Sequence, residues 1–237
     1  MPKALIMGAS SDIGIALCRL YLEKGFEVRA HYNEGQKPFF DLLEEHDNIT
    51  SFQLDMCDMD SVNDFLDDNG AVVADIDVLI SAVGLLESAP YNDITADHLL
   101  SALTANTLSP ILFTQAVTRG MRDRGFGRIV YLSSVGVQFR GGGASYAYAL
   151  SKHALEYFPS ELKDWAGRNV FINAIRVGVT DTRLHSKDPG KDMKQRVSEI
   201  PAGRMATAEE IAACVFDLGS DHNTFTTGQI LTVAGGE

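Results

Sequence analysis

Short apolar runs alternate with longer segments of helical periodicity along the chain, and this alternation limits the possible folds more than any other feature. The runs occupy residues 4–7, 27–32, 49–54, 78–81, 128–132, 170–175 and 229–233. Parallel strands that are buried on both faces read as continuous apolar runs, and each needs a crossover helix before the next. The sequence therefore predicts an α/β fold with a doubly wound, parallel, seven-stranded sheet and helices on both faces.

The length of 237 residues fits one α/β domain with a full core and is too short for two comfortable ones. No repeat or linker interrupts it, so residues 1–237 are predicted to form a single domain. The longest helices are expected at about 96–122 and 146–165. Residues 180–201 interrupt the alternation of strands and helices and are polar. Such a segment is either a cover over a site or a surface loop.

Composition excludes several classes of function. A formal net charge of -12, without a basic stripe, argues against a nucleic-acid partner. Three widely spaced cysteines (Cys18, Cys57 and Cys214) indicate reduced thiols, and the six histidines lack metal-ligand spacing, so no metal is expected. Neither a signal sequence nor a membrane-length apolar run is present, so a cytoplasmic protein without a membrane role is predicted.

Tyr148 and Lys152 lie four residues apart in the segment Ser145-Tyr-Ala-Tyr-Ala-Leu-Ser-Lys152. On a helix this spacing puts the lysine ammonium beside the phenol. A free tyrosine, with a pKa of about 10, is a poor acid-base catalyst near neutrality, and a nearby positive charge lowers that pKa. The spacing therefore suggests a tuned acid-base tyrosine. Tyr146 is a weaker candidate, because the residue four positions after it is Leu150.

A glycine-bearing loop, Gly8-Ala-Ser-Ser-Asp-Ile-Gly14, joins the first predicted strand to the first helix. Glycine lets the backbone approach a phosphate, and the helix N-terminus supplies free N–H groups and a favourable dipole. A Walker A loop is excluded, because no Gly-Lys-Ser/Thr follows. Asp12 stands where a dinucleotide loop has a middle glycine, and a helix cap is an alternative role for it.

Together these motifs resemble the short-chain dehydrogenase/reductase family, from Lys3 to Gly236, with the bacterial 3-oxoacyl-carrier-protein reductases as the nearest-looking subgroup. Ser81-Ala-Val-Gly84 stands for the Asn-Asn-Ala-Gly motif of the family, and Val177-Gly178 replaces its usual Pro-Gly. Pro201-Ala-Gly-Arg204 and Gly228 also resemble family landmarks. The resemblance implies a Rossmann fold and an NAD(P)-dependent oxidoreductase that acts on a carbonyl or alcohol substrate.

The resemblance also assigns the site. The catalytic residues it implies are Asn106, Ser134, Tyr148 and Lys152. Its cofactor-binding residues are Gly8, Ser10, Ser11, Asp12, Ile13, Gly14, Tyr32, Asn33, Asp55, Met56, Ala82, Gly84, Tyr148, Lys152, Gly178, Thr180 and Thr182. By resemblance, the serine polarises the carbonyl, Tyr148 moves the proton, Lys152 holds the nicotinamide ribose and Asn106 holds a water. Ser133 is an alternative to Ser134 because both end the same strand.

The sequence defines the cofactor and the substrate less closely than the site residues. The second strand ends in His31-Tyr-Asn-Glu34, without an acidic residue at the deciding place, which favours NADP(H) and leaves NAD(H) possible. Lys37 or Arg29 is a candidate phosphate partner. For an anionic substrate the candidates are Arg140, Arg183 and His185, each of which has a surface role as its simpler interpretation. The pocket is expected to include Leu85, Leu86, Phe139, Arg140 and part of the segment 180–201.

Two further expectations concern assembly and class. By resemblance, a homodimer or homotetramer is expected to form through the long helices. The candidate apolar contacts, which the core could equally use, are Leu99, Leu103, Leu108, Leu155 and Phe158. The competing interpretation is a catalytically silent cofactor-binding regulator or scaffold of the same fold. The altered segment at residues 81–84 keeps that interpretation open.

Overall fold

Seven strands form one parallel sheet in the computed structural model, which describes residues 1–183 and 192–237. The strands are β1 (Lys3–Met7), β2 (Glu27–Tyr32), β3 (Ile49–Gln53), β4 (Val78–Ser81), β5 (Gly127–Ser134), β6 (Val170–Val177) and β7 (Ile230–Val233). Their order across the sheet is β3-β2-β1-β4-β5-β6-β7, and every neighbouring pair is parallel. The α/β fold predicted from the apolar runs is confirmed.

The order of the strands locates the site. The chain moves outward from β1 to β3, then returns to place β4 on the other side of β1. In open parallel sheets, ligands bind beyond the carboxyl ends of the strands at such a reversal. Gly8 follows β1, Ala82 follows β4 and Ser134 ends β5, so the motifs meet at this edge.

Helices cover both faces of the sheet. Over the described residues they are α1 (Asp12–Glu23), α2 (Lys37–Glu45), α3 (Met59–Asp68), α4 (Gly70–Ala74), α5 (Ala96–Leu103), α6 (Ser109–Arg124), α7 (Tyr146–Leu155), α8 (Leu162–Ala166), α9 (Met193–Ser198) and α10 (Ala208–Leu218). A π-helical turn at Thr104–Leu108 and two short 3₁₀ turns at Tyr91–Asp93 and Val135–Val137 complete the set. Local sequence explains several ends: Thr207 and Glu210 form a capping box at α10, and Gly125 ends α6 with φ 71°.

Two apolar layers hold the sheet between its helices. On one face, α1 and α10 meet in an aromatic cluster, where the ring of Tyr21 lies 4.9 Å from Phe26 and 5.0 Å from Phe216. On the other face, Phe113 of α6 and Leu155 of α7 are fully buried. Burial of such a side chain stabilises the fold by about 1.5–3 kcal/mol, so both helix layers are firmly fixed to the sheet.

The predicted helix over residues 146–165 is wrong as a continuous element. Helix α7 ends at Leu155, and the short helix α8 begins only at Leu162. Proline lacks an N–H group and its ring clashes with the preceding turn, so Pro159 does not continue a helix. The second long segment, predicted at 96–122, is helical throughout but passes through the π-helical turn at Thr104–Leu108.

The structure separates the candidate assembly contacts. Leu155 belongs to the core, with 1% of its surface exposed, so it cannot serve as an assembly contact. Leu108 is 46% exposed, whereas Leu99, Leu103 and Phe158 are partly buried. Assembly through the helices stays a prediction. Among the residues that the structure describes, no helix is both long and apolar enough to cross a membrane.

Candidate active site

Ser133 and Ser134 end β5 with their hydroxyl groups in different surroundings. The Ser134 hydroxyl hydrogen-bonds the Tyr148 phenol and accepts the N–H of Gly136 at 3.1 Å. Ser133 is buried and donates to a carboxylate oxygen of Glu156 at 2.7 Å. The Ser133 hydroxyl is engaged by Glu156, whereas the Ser134 hydroxyl lies at the Tyr148 phenol. Only Ser134 is brought to Tyr148.

Tyr148 and Lys152 lie on one face of α7, as the spacing predicts. The Nζ atom of Lys152 lies 5.8 Å from the centre of the Tyr148 ring. It donates to the carbonyl oxygen of Val83 at 2.7 Å and to that of Leu132 at 2.6 Å. Lys152 is only 2% exposed, so these two carbonyls replace water as its acceptors. The lysine therefore joins α7 to the ends of β4 and β5.

Burial dominates the ionisation of both side chains. It raises the pKa of Tyr148 to about 12, opposed by the hydrogen bond from Ser134. It lowers the pKa of Lys152 to about 7. Desolvation disfavours the charged form of either group, which gives the two shifts opposite signs. The sequence predicts a tyrosine pKa lowered by the lysine, but in the protein alone that pKa is raised, and Tyr148 is a protonated phenol at neutral pH.

Asn106 lies in the π-helical turn and connects the loop after β4 with α7. Its side-chain oxygen accepts the N–H of Leu85 at 2.7 Å. Its amide nitrogen donates to the carbonyl oxygen of Leu85 at 3.0 Å and to the hydroxyl of Ser151 at 2.9 Å. The side chain is fully buried and contacts the neighbour of Lys152 rather than the lysine nitrogen itself. Asn106 fixes the loop after β4 against α7.

The glycine loop fits a nucleotide phosphate. A Cβ atom on Gly14 would lie 2.2 Å from the carbonyl oxygen of Gly8, so α1 packs against the loop as only glycine allows. Gly8 itself has φ +77° and would place a Cβ 2.8 Å from the Ala82 oxygen. Ser11 caps the helix through Gly14, which leaves the N–H groups of Asp12 and Ile13 without an intrahelical acceptor. Such groups bind anions.

Asp12 does not cap the helix. Its carboxylate pairs with the guanidinium of Arg183 at 2.6 Å and accepts the backbone N–H of Arg183 at 2.8 Å. The negative charge at the helix N-terminus is therefore balanced by an arginine from the segment that follows β6. This pairing reduces the repulsion that an unpaired carboxylate would exert on an anion at this N-terminus.

His31 fixes the loop from the side of β2. Its Nδ1 atom accepts the N–H of Gly8 at 3.0 Å, and its Nε2 atom contacts the carbonyl oxygen of Leu54 at 2.9 Å. Because Nδ1 accepts and a carbonyl cannot donate, the ring is neutral with its proton on Nε2. Burial lowers the pKa of His31 to about 4, in agreement with this state. The ring joins the loop after β1 to the end of β3.

The end of β2 carries no acid, and the candidate cations near it have acidic partners. The Tyr32 ring packs against Phe39 at 5.2 Å, and Asn33 is exposed. Lys37 is paired with Asp41 at 2.8 Å, and Arg29 lies 3.6 Å from Glu27. Both cations have an acidic partner in the protein alone, and a contact of either with a phosphate stays a prediction.

The remaining predicted cofactor residues follow the strand ends. Asp55 is exposed and borders an open depression of about 440 Å³, while Met56 is buried. A Cβ atom on Gly84 would meet no atom within 4 Å, so this glycine faces open space. The other members of the set, Ser10, Ala82, Gly178, Thr180 and Thr182, lie in the loops that follow β1, β4 and β6. All described members of the set therefore border one edge of the sheet.

The predicted substrate residues form a less defined group. Leu85 and Leu86 are partly buried, and Phe139 and Arg140 are exposed. Arg140 has a left-handed backbone with φ 59°, which is uncommon for a residue with a side chain, and three glycines follow it. His185 and the residues from 184 to 191 of the predicted cover lie outside the described residues.

The sequence interpretation missed one cluster beside these residues. Glu156 accepts hydrogen bonds from Ser133 and from Arg176, whose Nε and Nη2 atoms lie 2.8 and 2.6 Å from its two oxygens. Glu156 follows Lys152 by four residues, the same interval that separates Lys152 from Tyr148. That repeated spacing was the available signal.

Comparison with known proteins identifies the family of this chain. The family described as Enoyl-(Acyl carrier protein) reductase matches residues 8–237. The chain belongs to the short-chain dehydrogenase/reductase family. It is 30% identical to the acetoacetyl-CoA reductase of Rhizobium meliloti (strain 1021) over 99% of this chain and 97% of that protein. The 3-oxoacyl-[acyl-carrier-protein] reductase FabG of Thermotoga maritima is 29% identical, with 98% and 96% covered.

A solved structure of a short chain dehydrogenase/reductase family protein matches the fold. It superimposes with a TM-score of 0.87 at 27% identity and covers 99% of this chain and 96% of that one. Membership places the chain among enzymes that carry out NAD(P)-dependent oxidoreduction, within the group that resembles 3-oxoacyl-carrier-protein reductases.

Proposed function

We propose that this short-chain dehydrogenase/reductase reduces the ketone of a 3-oxoacyl thioester or of a similar small molecule, with NADP(H) as the favoured cofactor. The observation that carries the proposal is the grouping of Ser134, Tyr148 and Lys152 at the carboxyl end of β5. The names of the relatives, acetoacetyl-CoA reductase and FabG, support a 3-oxoacyl substrate.

The proposed roles follow from the state of each group. The Ser134 hydroxyl donates a hydrogen bond to the substrate carbonyl oxygen and stabilises the negative charge that develops on it. Tyr148 gives that oxygen a proton. Burial raises the pKa of Tyr148 to about 12 in the protein alone, so the phenol carries at neutral pH the proton that reduction requires. Asn106 holds the loop after β4 in place beside α7.

The cofactor would occupy the edge formed by the glycine loop and the loop after β4. Gly8, Ile13 and Gly14 would hold its phosphates, and Lys152 would hold its ribose. When bound, the nicotinamide supplies the hydride. Tyr32 and Asn33 place no carboxylate at the end of β2, and this absence supports NADP(H), since an acid there would repel a 2′-phosphate.

The experiment pairs cofactor binding with turnover. Calorimetric titration with NADPH and with NADH measures the affinity for each, and acetoacetyl-CoA reduction is followed by absorbance at 340 nm. Tyr148→Phe should lower kcat by at least about 100-fold while the cofactor Kd changes less than about threefold. Tyr146→Phe, on the same helix, is the matched control and should keep the activity.

The possible outcomes test the proton donor, the cofactor preference and the catalytic activity separately. Near-normal turnover in Tyr148→Phe would overturn the proposed proton donor. A tighter Kd for NADH than for NADPH would overturn the cofactor preference alone. Cofactor binding without turnover of acetoacetyl-CoA or a panel of small ketones would instead favour a silent regulator of the same fold.

A further inference from the structure

The last three residues of β5 each contact a different residue of α7 or its C-cap. The contacts are Leu132 with Lys152, Ser133 with Glu156, and Ser134 with Tyr148. The three residues of α7 are spaced by four, so they follow one another along one face of the helix. Two of them belong to the proposed chemistry, and the third, Glu156, does not.

Glu156 lies at an unfavourable position for an acid. It is the C-cap residue of α7, where the helix dipole opposes a negative charge, and it is 7% exposed. Burial acts to raise its pKa, but the hydrogen bonds from Arg176 and Ser133 hold that pKa below its ordinary value. The carboxylate is therefore charged and depends on a bidentate arginine and a serine hydroxyl for its stabilisation.

Because α7 ends early, the contacts of Glu156 matter for how the end of this helix is held. The helix continues for only three residues beyond Lys152, because it ends at Leu155. Beyond Lys152, which donates to the carbonyl oxygen of Leu132, the side chain of Glu156 adds a second hydrogen-bonded attachment of this end to the sheet. Arg176 lies on β6 directly beside Ser133 in the sheet register, so the pair ties the helix to two strands at once.

We propose that the Glu156–Arg176 ion pair is a positioning device, which locks the end of α7 to β5 through Ser133 and so sets Tyr148 and Lys152 at their distance from Ser134. The proposal rests on the proposed function for its catalytic consequence. Its structural part, the placement of Lys152, can be measured without turnover.

The decisive variant is the double substitution Glu156→Leu with Arg176→Leu. Replacing both members of a buried ion pair by apolar residues of similar size often preserves stability, whereas removing one leaves an unpaired charge. We therefore expect a smaller fall of the urea midpoint for the double variant, which leaves only the Ser133 hydroxyl without its acceptor, than for either single variant. A merely structural pair would then leave catalysis intact.

A positioning pair predicts a different result. The double variant should lose at least tenfold in kcat for acetoacetyl-CoA, with a change of less than threefold in KM. Glu156→Gln, which retains an acceptor for Ser133, should lose less than the double variant. The matched control removes an exposed ion pair, Arg19 with Glu45, by the same leucine substitutions, and its kcat should not change.

The second readout is the titration of Lys152 by NMR of ¹³C-labelled lysine, assigned with Lys152→Met. If the double variant loosens α7, water reaches the ammonium and its titration midpoint should rise by at least one pH unit. Loss of the negative charge of Glu156 alone would lower the titration midpoint of Lys152. The double variant removes one charge of each sign, so a rise of that midpoint indicates that α7 has been displaced.

Unchanged kcat together with an unchanged lysine midpoint would overturn the proposal. If the unaltered protein bound no nicotinamide cofactor and reduced no ketone, the proposed function would fail separately. The lysine titration would then decide the positioning role by itself.

Discussion

Substitution of Lys152 by methionine should remove a pH dependence of folding that the structure builds into the site. Burial lowers the pKa of Lys152 from 10.5 to about 7. The unfolded chain therefore binds a proton between these pH values that the folded chain does not. The free energy of unfolding is highest above pH 10.5 with respect to this group, falls as the pH drops, and levels off below about 7.

The expected size follows from the shift. A difference in pKa of one unit corresponds to 1.36 kcal/mol. Between pH 9 and pH 7 the free energy of unfolding therefore changes by about this amount per pH unit, and by less close to pH 7. We expect the free energy of unfolding to fall by about 2 kcal/mol more in the lysine protein than in Lys152→Met over this interval. Other titrating groups are common to both proteins and cancel in the difference.

The assay is urea unfolding of both proteins at pH 7, 8 and 9, at one protein concentration and constant ionic strength. Lys163→Met, which removes an exposed lysine from α8, is the matched control, and its difference from the unaltered protein should not vary with pH. A constant difference for Lys152→Met would refute the reasoning. It would mean that the carbonyls of Val83 and Leu132 stabilise the ammonium as well as water does.

Three other substitutions test the packing at this edge. Ser81 is fully buried, and its hydroxyl has no hydrogen-bond partner among the described residues. Ser81→Ala should therefore raise the free energy of unfolding, measured in urea, by about 1 kcal/mol. A loss of stability would instead reveal an acceptor for the hydroxyl. Gly14→Ala, whose Cβ would meet backbone atoms, should cost about 1–3 kcal/mol, whereas Gly84→Ala should leave the urea midpoint unchanged and weaken NADPH binding if the cofactor fills the open space. Equal stability of the two alanine variants would contradict the close packing of α1 on the loop.

Much of the fold could be predicted from the sequence because its signals are local. Each apolar run became a strand, since burial on both faces requires such a run in a parallel sheet. The failure at 146–165 was also local, because Pro159 was present in the sequence and its effect was overlooked.

The site was harder to predict where it depends on distant contacts. The spacing of Tyr148 and Lys152 predicted a shared helix face, but not the two carbonyls that hold the ammonium, one of them 69 residues away. The net direction of the tyrosine pKa depends on burial, which the helix pattern does not report. Likewise, no sequence pattern showed that Asp12 pairs with Arg183, 171 residues distant.

The double hydrogen bonding of His31 has a consequence for the cost of ligand binding. Gly8, His31 and Leu54 are already joined in the protein by itself, so the loop after β1 has its shape before any nucleotide arrives. Fixing the backbone of one residue costs roughly 1–2 kcal/mol in conformational entropy. For the three turn residues that follow β1, residues 8–10, this amounts to about 3–6 kcal/mol that folding supplies in advance. A nucleotide can then use its contacts for affinity rather than for ordering the loop.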